Sequence, residues 1–371
     1  MQKQYKILYL CSTLEATAPT KQLYNLVKHL DRAIFYPTIL TLSNEPKNSY
    51  IEKFRKIDIK VETLSLSRIK GLFLNAKKLQ DRVKLINPNI VHSSGIRSDI
   101  LSSNYLSQYK RVVTIRSNPY EDYINAHGKI VGNIVIKKEL EAIKNIEIPV
   151  AVSKSIANSI KKNSGIDLKV ITDGIDIESF FNADKIMMRK KLNLPLEKDI
   201  FISVGNLTDA KDPLTIISAV KELRDKNILM IFLGDGELKQ RCQDYAIENE
   251  NILIKGYVNN VAEYLQASDF YISASLTEGM PNAVLEGLSC GLPVILSDIP
   301  SHKEILDYDL SIGKLFKVKK VQELVNAMKD IREKNYKEIS QASSKIIENV
   351  LNAKNTSKQY QQCYFELMDE K

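Results

Sequence analysis

Short apolar runs alternate with helical stretches along this chain, and the series starts over halfway. The first half carries YKILYLC, YPTILTL, KVETLS, NIVHSS, RVVTIRS, IPVAVS and LKVIT; the second carries DIFISVG, ILMIFLG, NILIKG, ASDFYISAS, LPVILSD and IGKLF. Runs this short and rich in β-branched residues, alternating with helical patterns, read as strands of parallel sheets. Stretches between them, such as PTKQLYNLVKHL and GLFLNAKKLQDRVKLI, supply the crossovers that parallel strands need. The pattern predicts an α/β fold of two Rossmann-like units with parallel sheets facing a central cleft, where ligands sit beyond the carboxyl ends of the strands. DGIDIESFFNADKIMMRKKLNLPLEKD, which lacks a long strand, reads as the junction. The predicted domains are 1–180 and 181–354, with an amphipathic terminal helix of about 355–371 packing back on the first. A length of 371 residues fits two cores better than one.

Charge is unevenly spread over these halves. Residues 1–180 hold 28 Lys+Arg against 17 Asp+Glu, a net +11, and residues 181–371 hold 25 against 28, a net −3. A basic front half points to an anionic partner, and peripheral contact with an anionic membrane is expected. No nucleic-acid motif is present and aromatic residues do not interleave with the basic ones, so nucleic acid is excluded. The four cysteines, Cys11, Cys242, Cys290 and Cys363, lack metal-ligand spacing and lie in apolar runs, as reduced thiols of a cytoplasmic protein would. The apolar part of the N-terminus is too short for a signal peptide and leads straight into a strand. No metal and no cofactor are expected.

Candidate site residues fall after the strands of the second half. SLTEGMPNAVLEGLSCGLPVILSD places Glu278 before a Gly-Met-Pro turn and Glu286 on the helix that the turn opens, with Pro281 near the first helical position. Amide N–H groups of the Gly279–Met280–Pro281–Asn282 loop and helix start suit a diphosphate. Carboxylates on either side suit vicinal hydroxyls, one set on a sugar and one on a ribose. VGNLTDAKDP adds Asn206 and Lys211, the latter a point charge for phosphate. LGDGELKQ adds a turn-forming Asp235, and KGYVNN adds Gly256, Tyr257 and Val258. The set suits a sugar nucleotide.

At these residues the chain resembles the retaining glycosyltransferases of family 4, which have the GT-B fold. The likeness runs nearly the whole length and is strongest from Phe201 to Glu304, where Glu278-x7-Glu286 lies in a matching strand–turn–helix frame. GDGEL, GYVNNVAEYLQASDFYISAS and VSKSIANSI…VITDGID are also family-like. The resemblance implies that Glu286 holds the donor ribose, Glu278 the transferred sugar and Lys211 the diphosphate. Gly279–Asn282 would face the sugar and diphosphate, and Gly256–Val258 would frame the base. It also implies a nucleoside-diphosphate sugar donor, UDP favoured, and a glycan or lipid-linked acceptor in surface polysaccharide synthesis.

The sequence departs from the family at four places. Asn206 stands where an arginine is usual; EATAPTKQL replaces a glycine-rich loop; Arg116 takes a position that often holds histidine; and DGID, Asp173 to Asp176, replaces NGID. His92 matches a recurrent family position, and with Arg116 it joins the catalytic candidates. His29, His127 and His302 read as ordinary histidines; Arg97, Asp298 and Glu304 stay open between structural and site roles. Two other readings remain: a nucleotide-sugar epimerase on a similar scaffold, and a non-catalytic partner subunit. A nicotinamide dehydrogenase is excluded because LYLCSTLEATAPT lacks G-x-G-x-x-G after the first strand.

Overall fold

A computed structural model describes residues 4–66, 72–247 and 249–369. The chain forms two compact units, residues 1–173 with 353–371, and residues 174–352. The first unit holds a sheet of β1 (Tyr5–Cys11), β2 (Phe35–Thr41), β3 (Lys60–Thr63), β4 (Ile90–Ser94), β5 (Lys110–Ile115), β6 (Ile148–Ala151) and β7 (Lys169–Val170), in the order 3-2-1-4-5-6-7. The second holds β8 (Asp199–Val204), β9 (Ile228–Leu233), β10 (Ile252–Gly256), β11 (Phe270–Ser273), β12 (Val294–Ser297) and β13 (Gly313–Phe316), in the order 10-9-8-11-12-13. Every pairing is parallel. The two orders are the same doubly wound arrangement, with one extra edge strand in the first unit.

Side-chain alternation explains why the strands read as continuous apolar runs. In β1, Ile7 and Tyr9 enter a core on one face that also holds Phe35, Tyr360 and Tyr364, while Leu8 and Leu10 enter another with Leu40, Leu79 and Val83. The second unit has its own core around Phe201, Met230, Phe232, Phe270 and Phe316.

The terminal helix Ala353–Asp369 belongs to the first unit and buries Tyr360, Cys363, Tyr364 and Leu367, the i, i+3, i+4, i+7 stripe of one helical face. The first unit ends at Asp173, earlier than the expected 180, because Ile175 already pairs with Asn352 and donates its amide to the Leu351 carbonyl at 2.9 Å. The junction stretch contains one helix, Lys185–Leu192, whose N-cap Asp184 accepts the Met187 amide.

Candidate functional site

In the second unit the strand order reverses between β8 and β11, so the loops leaving these neighbours diverge at their carboxyl ends. After β8 come Gly205, the exposed Asn206 and a turn, Asp209–Lys211. Helix Pro213–Leu223 follows, capped by Asp212, which accepts the Thr215 hydroxyl at 2.6 Å. After β11 come Ser275, Glu278 and helix Asn282–Ser289. The Leu276 amide ties the two loops by donating to the Ala210 carbonyl at 2.8 Å. Lys211 and Glu278 meet there as an ion pair, and the Ser275 hydroxyl donates to the same Glu278 Oε1 at 2.8 Å. The Glu278 side chain is 14% exposed and that of Lys211 35%, so a ligand can still reach the cation.

Glu286 lies buried on its helix, and Tyr271 lies buried on β11. The Tyr271 hydroxyl donates to the Val204 carbonyl at 3.2 Å, and its pKa is driven far up, first by burial and then by Glu278 and Glu286. Both acids of the x7 pair therefore lie within electrostatic reach of one buried phenol. The helix can lie on that ring because residue 287 is glycine: a Cβ there would come within 2.9 Å of Tyr271 Cδ2. Pro281 is the N-cap, one place before the expected first turn, and Met280 and Pro281 are both buried. The Asn282 and Val284 amides bond back to the Met280 and Pro281 carbonyls, each at 2.9 Å. Those two N–H groups close the turn on itself, so fewer amides are available to an anion than the sequence suggested. Gly279 is half-buried between Glu278 and this turn.

The GDGEL segment shapes the neighbouring loop. The Gly205 amide donates to Leu233 and the Leu207 amide to Asp235, each at 2.9 Å. Gly234 has φ +138°, and a Cβ on it would collide with the Gly205 carbonyl oxygen. Asp235 accepts the Gly236 amide and pairs with Lys239 at 2.6 Å; the Lys239 contact, followed by the amide, holds its carboxyl below the usual range. Lys239 also lies over Gly256, whose φ is +74°. Beyond it Tyr257 is 68% exposed and Val258 half-buried, so the predicted base-framing segment lies open at the end of β10.

Sequence reasoning missed His302. It follows β12 on helix Pro300–Leu306, fully buried, with Nδ1 at 2.9 Å from the Ser297 carbonyl and 3.0 Å from the Ser297 hydroxyl. Burial pushes its imidazole down to about 4; the nearby Glu278 carboxylate opposes that shift and Lys211 reinforces it. The signal available in SDIPSHKEIL was its place just beyond a strand end, which also fits an ordinary histidine.

His92 requires a correction. It sits on β4, 4% exposed, with Nδ1 at 2.7 Å from the Tyr364 hydroxyl and Nε2 at 2.7 Å from Thr114 Oγ1. Thr114 is bonded to Tyr360, and Tyr364 to Tyr9. Burial drives this imidazole down to about 3, with Arg116 adding to the shift. With both ring nitrogens engaged inside the core, His92 anchors the terminal helix and is not placed to move a proton for a ligand. Arg116, after β5, gives Nη1 to both oxygens of the buried Asp173 at 2.8 and 2.9 Å, an internal partner where a ligand contact was expected. Arg97 donates to Ser43 Oγ at 2.8 Å, an internal hydrogen bond. Among the described residues no group of three or more His, Cys, Asp or Glu side chains is arranged to hold a metal ion, and no helix is long and apolar enough to cross a membrane.

Two doubly wound units, the second with a lysine–glutamate pair at its topological switch point, make up the GT-B fold. Residues 20–179 match the family model Glycosyltransferase Family 4 and residues 184–350 match Glycosyl transferases group 1; the chain belongs to this family. It is 28% identical over 273 residues to the putative teichuronic acid biosynthesis glycosyltransferase TuaC of Bacillus subtilis, covering 70% of this chain and 64% of the relative. It is 32% identical over 171 residues to the UDP-Gal:alpha-D-GlcNAc-diphosphoundecaprenol alpha-1,3-galactosyltransferase of Escherichia coli, covering 43% and 44%. The chain spans 44% to 64% of the length of the first curated relatives it matches. A crystal structure of Anabaena HepE in complex with UDP-glucose shares the fold, with a TM-score of 0.82 at 15% identity over 98% of this chain and 100% of that one.

Proposed function

We propose that this protein transfers a sugar from a nucleoside-diphosphate donor, a UDP-sugar, to a hydroxyl of a glycan or lipid-linked acceptor, with retention of anomeric configuration, in the assembly of a bacterial surface polysaccharide. The observation that carries this reading is the Lys211–Glu278 pair at the switch point of the second sheet. The teichuronic acid role of TuaC, the UDP-Gal donor of the Escherichia coli galactosyltransferase and the UDP-glucose held by HepE support the donor class and the polysaccharide role. Donor binding would exchange partners within the pair: Lys211 turns to the diphosphate, and Glu278, still held by Ser275, turns to the sugar hydroxyls. Glu286 then takes the ribose diol, and Gly256 to Val258 meet the base. The bond from the anomeric carbon to the diphosphate oxygen breaks as the acceptor oxygen bonds to the same face. The acceptor proton passes to the leaving diphosphate, so no protein nucleophile is needed. In this reading the positive charge that stabilises the leaving group comes from Lys211 and needs no metal ion.

Glu278→Gln keeps the size of the side chain and its bond from Ser275 while removing the charge. It is expected to lower kcat by roughly a hundredfold or more with Tm changed by only a few degrees. Lys211→Ala is expected to weaken UDP binding by calorimetry. Wild-type turnover in Glu278→Gln would sink the reading. Conversion of a UDP-sugar without acceptor would mark an epimerase instead, and no binding of any sugar nucleotide would mark a partner subunit.

Membrane contact is part of the same proposal. Helix Pro119–Lys144 in the basic first unit breaks at Gly128, and beyond the break Ile130, Val131 and Ile134 are exposed, Ile130 by 81%. Exposed Lys129, Lys137 and Lys138 flank them, with Glu141 the exposed acid of the following turn. Aliphatic side chains beside lysines suit the interface of an anionic bilayer.

A further inference from the structure

Glu278 is held by Ser275, and Ser275 is itself held from behind. The Ser275 hydroxyl lies 2.8 Å from Glu278 Oε1 and 3.1 Å from Ser273 Oγ. Its carbonyl accepts the Ser297 hydroxyl at 2.6 Å, and Ser297 in turn meets His302 Nδ1 through both its hydroxyl and its carbonyl. Counting protons fixes every direction. The Glu278 carboxylate only accepts, so the Ser275 proton points at it and Ser273 must donate to Ser275. The Ser275 carbonyl only accepts, so the Ser297 proton is committed to it. His302 is left facing a hydroxyl oxygen whose proton is spent and a carbonyl oxygen that has none. Both demand that Nδ1 carry the proton, which leaves Nε2 as a bare acceptor. Nε2 is buried with no hydrogen-bond partner among the described residues, so nothing there competes for the tautomer.

We propose that His302 is a positioning residue for Glu278: as the Nδ1–H tautomer it fixes Ser297, Ser297 fixes the Ser275 backbone, and the Ser275 hydroxyl then aims Glu278 at the transferred sugar. The proposal rests on the transferase reading of Glu278. The relay connects the ends of β11 and β12 across three buried residues, Ser275, Ser297 and His302, so a slack link would show at the reacting centre before it showed in the fold.

Two measurements on the full chain test it. In long-range proton–nitrogen spectra of [15N]histidine-labelled protein, the signal that disappears in His302→Leu is expected to show the Nδ1–H tautomer, and to shift in Ser297→Ala. An Nε2–H tautomer would overturn the relay, and this arm needs no turnover. The second arm follows UDP release from UDP-glucose and UDP-galactose, with Glu278→Gln as the reference. His302→Leu and Ser297→Ala are each expected to lower kcat about tenfold or more while donor KM stays within about twofold. Their double variant should be no slower than the worse single one, and His302→Asn, which returns an N–H donor near the Nδ1 position, should recover most of the rate. Ser297→Ala removes one oxygen and carries the test if His302→Leu does not fold. A reduced Glu278→Gln beside unaffected His302→Leu and Ser297→Ala would refute the relay alone; an unaffected Glu278→Gln would refute the transferase reading beneath it.

Discussion

Arg116 and Asp173 occupy two of the places where this chain departs from its family, and they are bonded to each other. Each departure accounts for the other: an aspartate buried in the DGID turn needs a cation, and the partly exposed arginine supplies it. Removing Arg116 would strand the buried Asp173 carboxylate, at a cost of about 3–5 kcal/mol. Glu139 has no such partner. It is 3% exposed, Tyr123 donates to its Oε1 at 2.9 Å, and Oε2 has no hydrogen-bond partner among the described residues. Burial, with help from Asp122, pushes its carboxyl up to about 7 from 4.5. Between those values the folded chain keeps a proton that the unfolded chain has released, so stability falls as pH rises and the loss is complete above about 7. Glu139→Gln keeps an acceptor for Tyr123. Urea unfolding is expected to find it close to wild type at pH 4.5 and more stable by up to about 3 kcal/mol at pH 8. An equal difference at both pH values would refute the assignment. Glu278, Glu286 and Lys211 could be picked out as candidates because a turn, a helix start and their spacing are local features of the sequence. His302, Ser297 and Tyr271 were not picked out, because their contacts with this site arise only when β11 is paired between β8 and β12.

Strands show themselves most clearly at the scale of elements: the thirteen strands of the described residues appear where the short runs placed them, and the central ones are buried on both faces while the edge strands β3 and β7 are not. Helix ends were less clear. Asn118 caps its helix and Pro119 opens it as local rules allow, yet the break at Gly128, with φ +74°, follows from packing. A Cβ on Gly132 would approach the Tyr123 carbonyl to 2.8 Å, so the segments before and after the break pass one another there. The break leaves Ile130, Val131 and Ile134 without an internal face to cover them. Vesicles of phosphatidylglycerol are therefore expected to sediment the wild-type protein better than vesicles of phosphatidylcholine. Ile130→Ser with Ile134→Ser should abolish this at any salt. Lys137→Gln with Lys138→Gln should remove the salt-sensitive part, near 1 kcal/mol per lysine. Unchanged sedimentation of the isoleucine variant would show that this face does not meet lipid.

The whole molecule is two cores threaded by one chain, and the thread crosses at 173/174 and again at 352/353. That second crossing makes the first unit discontinuous, and its last piece is structural. Helix Ala353–Asp369 brings Tyr360, Cys363, Tyr364 and Leu367 into the core and takes up His92 and Thr114, and Thr356 bonds the Thr172 carbonyl at 2.8 Å. Four buried side chains at about 2 kcal/mol each come to roughly 8 kcal/mol, the size of a whole domain's stability. Deleting it would also leave His92 Nδ1 and Thr114 Oγ1 facing an open core. The second unit loses nothing comparable, since its entry and exit, Ile175 and Leu351, are bonded to each other. Residues 174–352 expressed alone are therefore expected to melt cooperatively in calorimetry, while residues 1–173 alone show no cooperative transition. Joining 353–371 to residue 173 through a flexible linker should restore one. A fragment 1–173 that melts as sharply and as high without the helix as with it would show that the tyrosine–histidine network is dispensable, and that the terminal segment decorates a core complete without it.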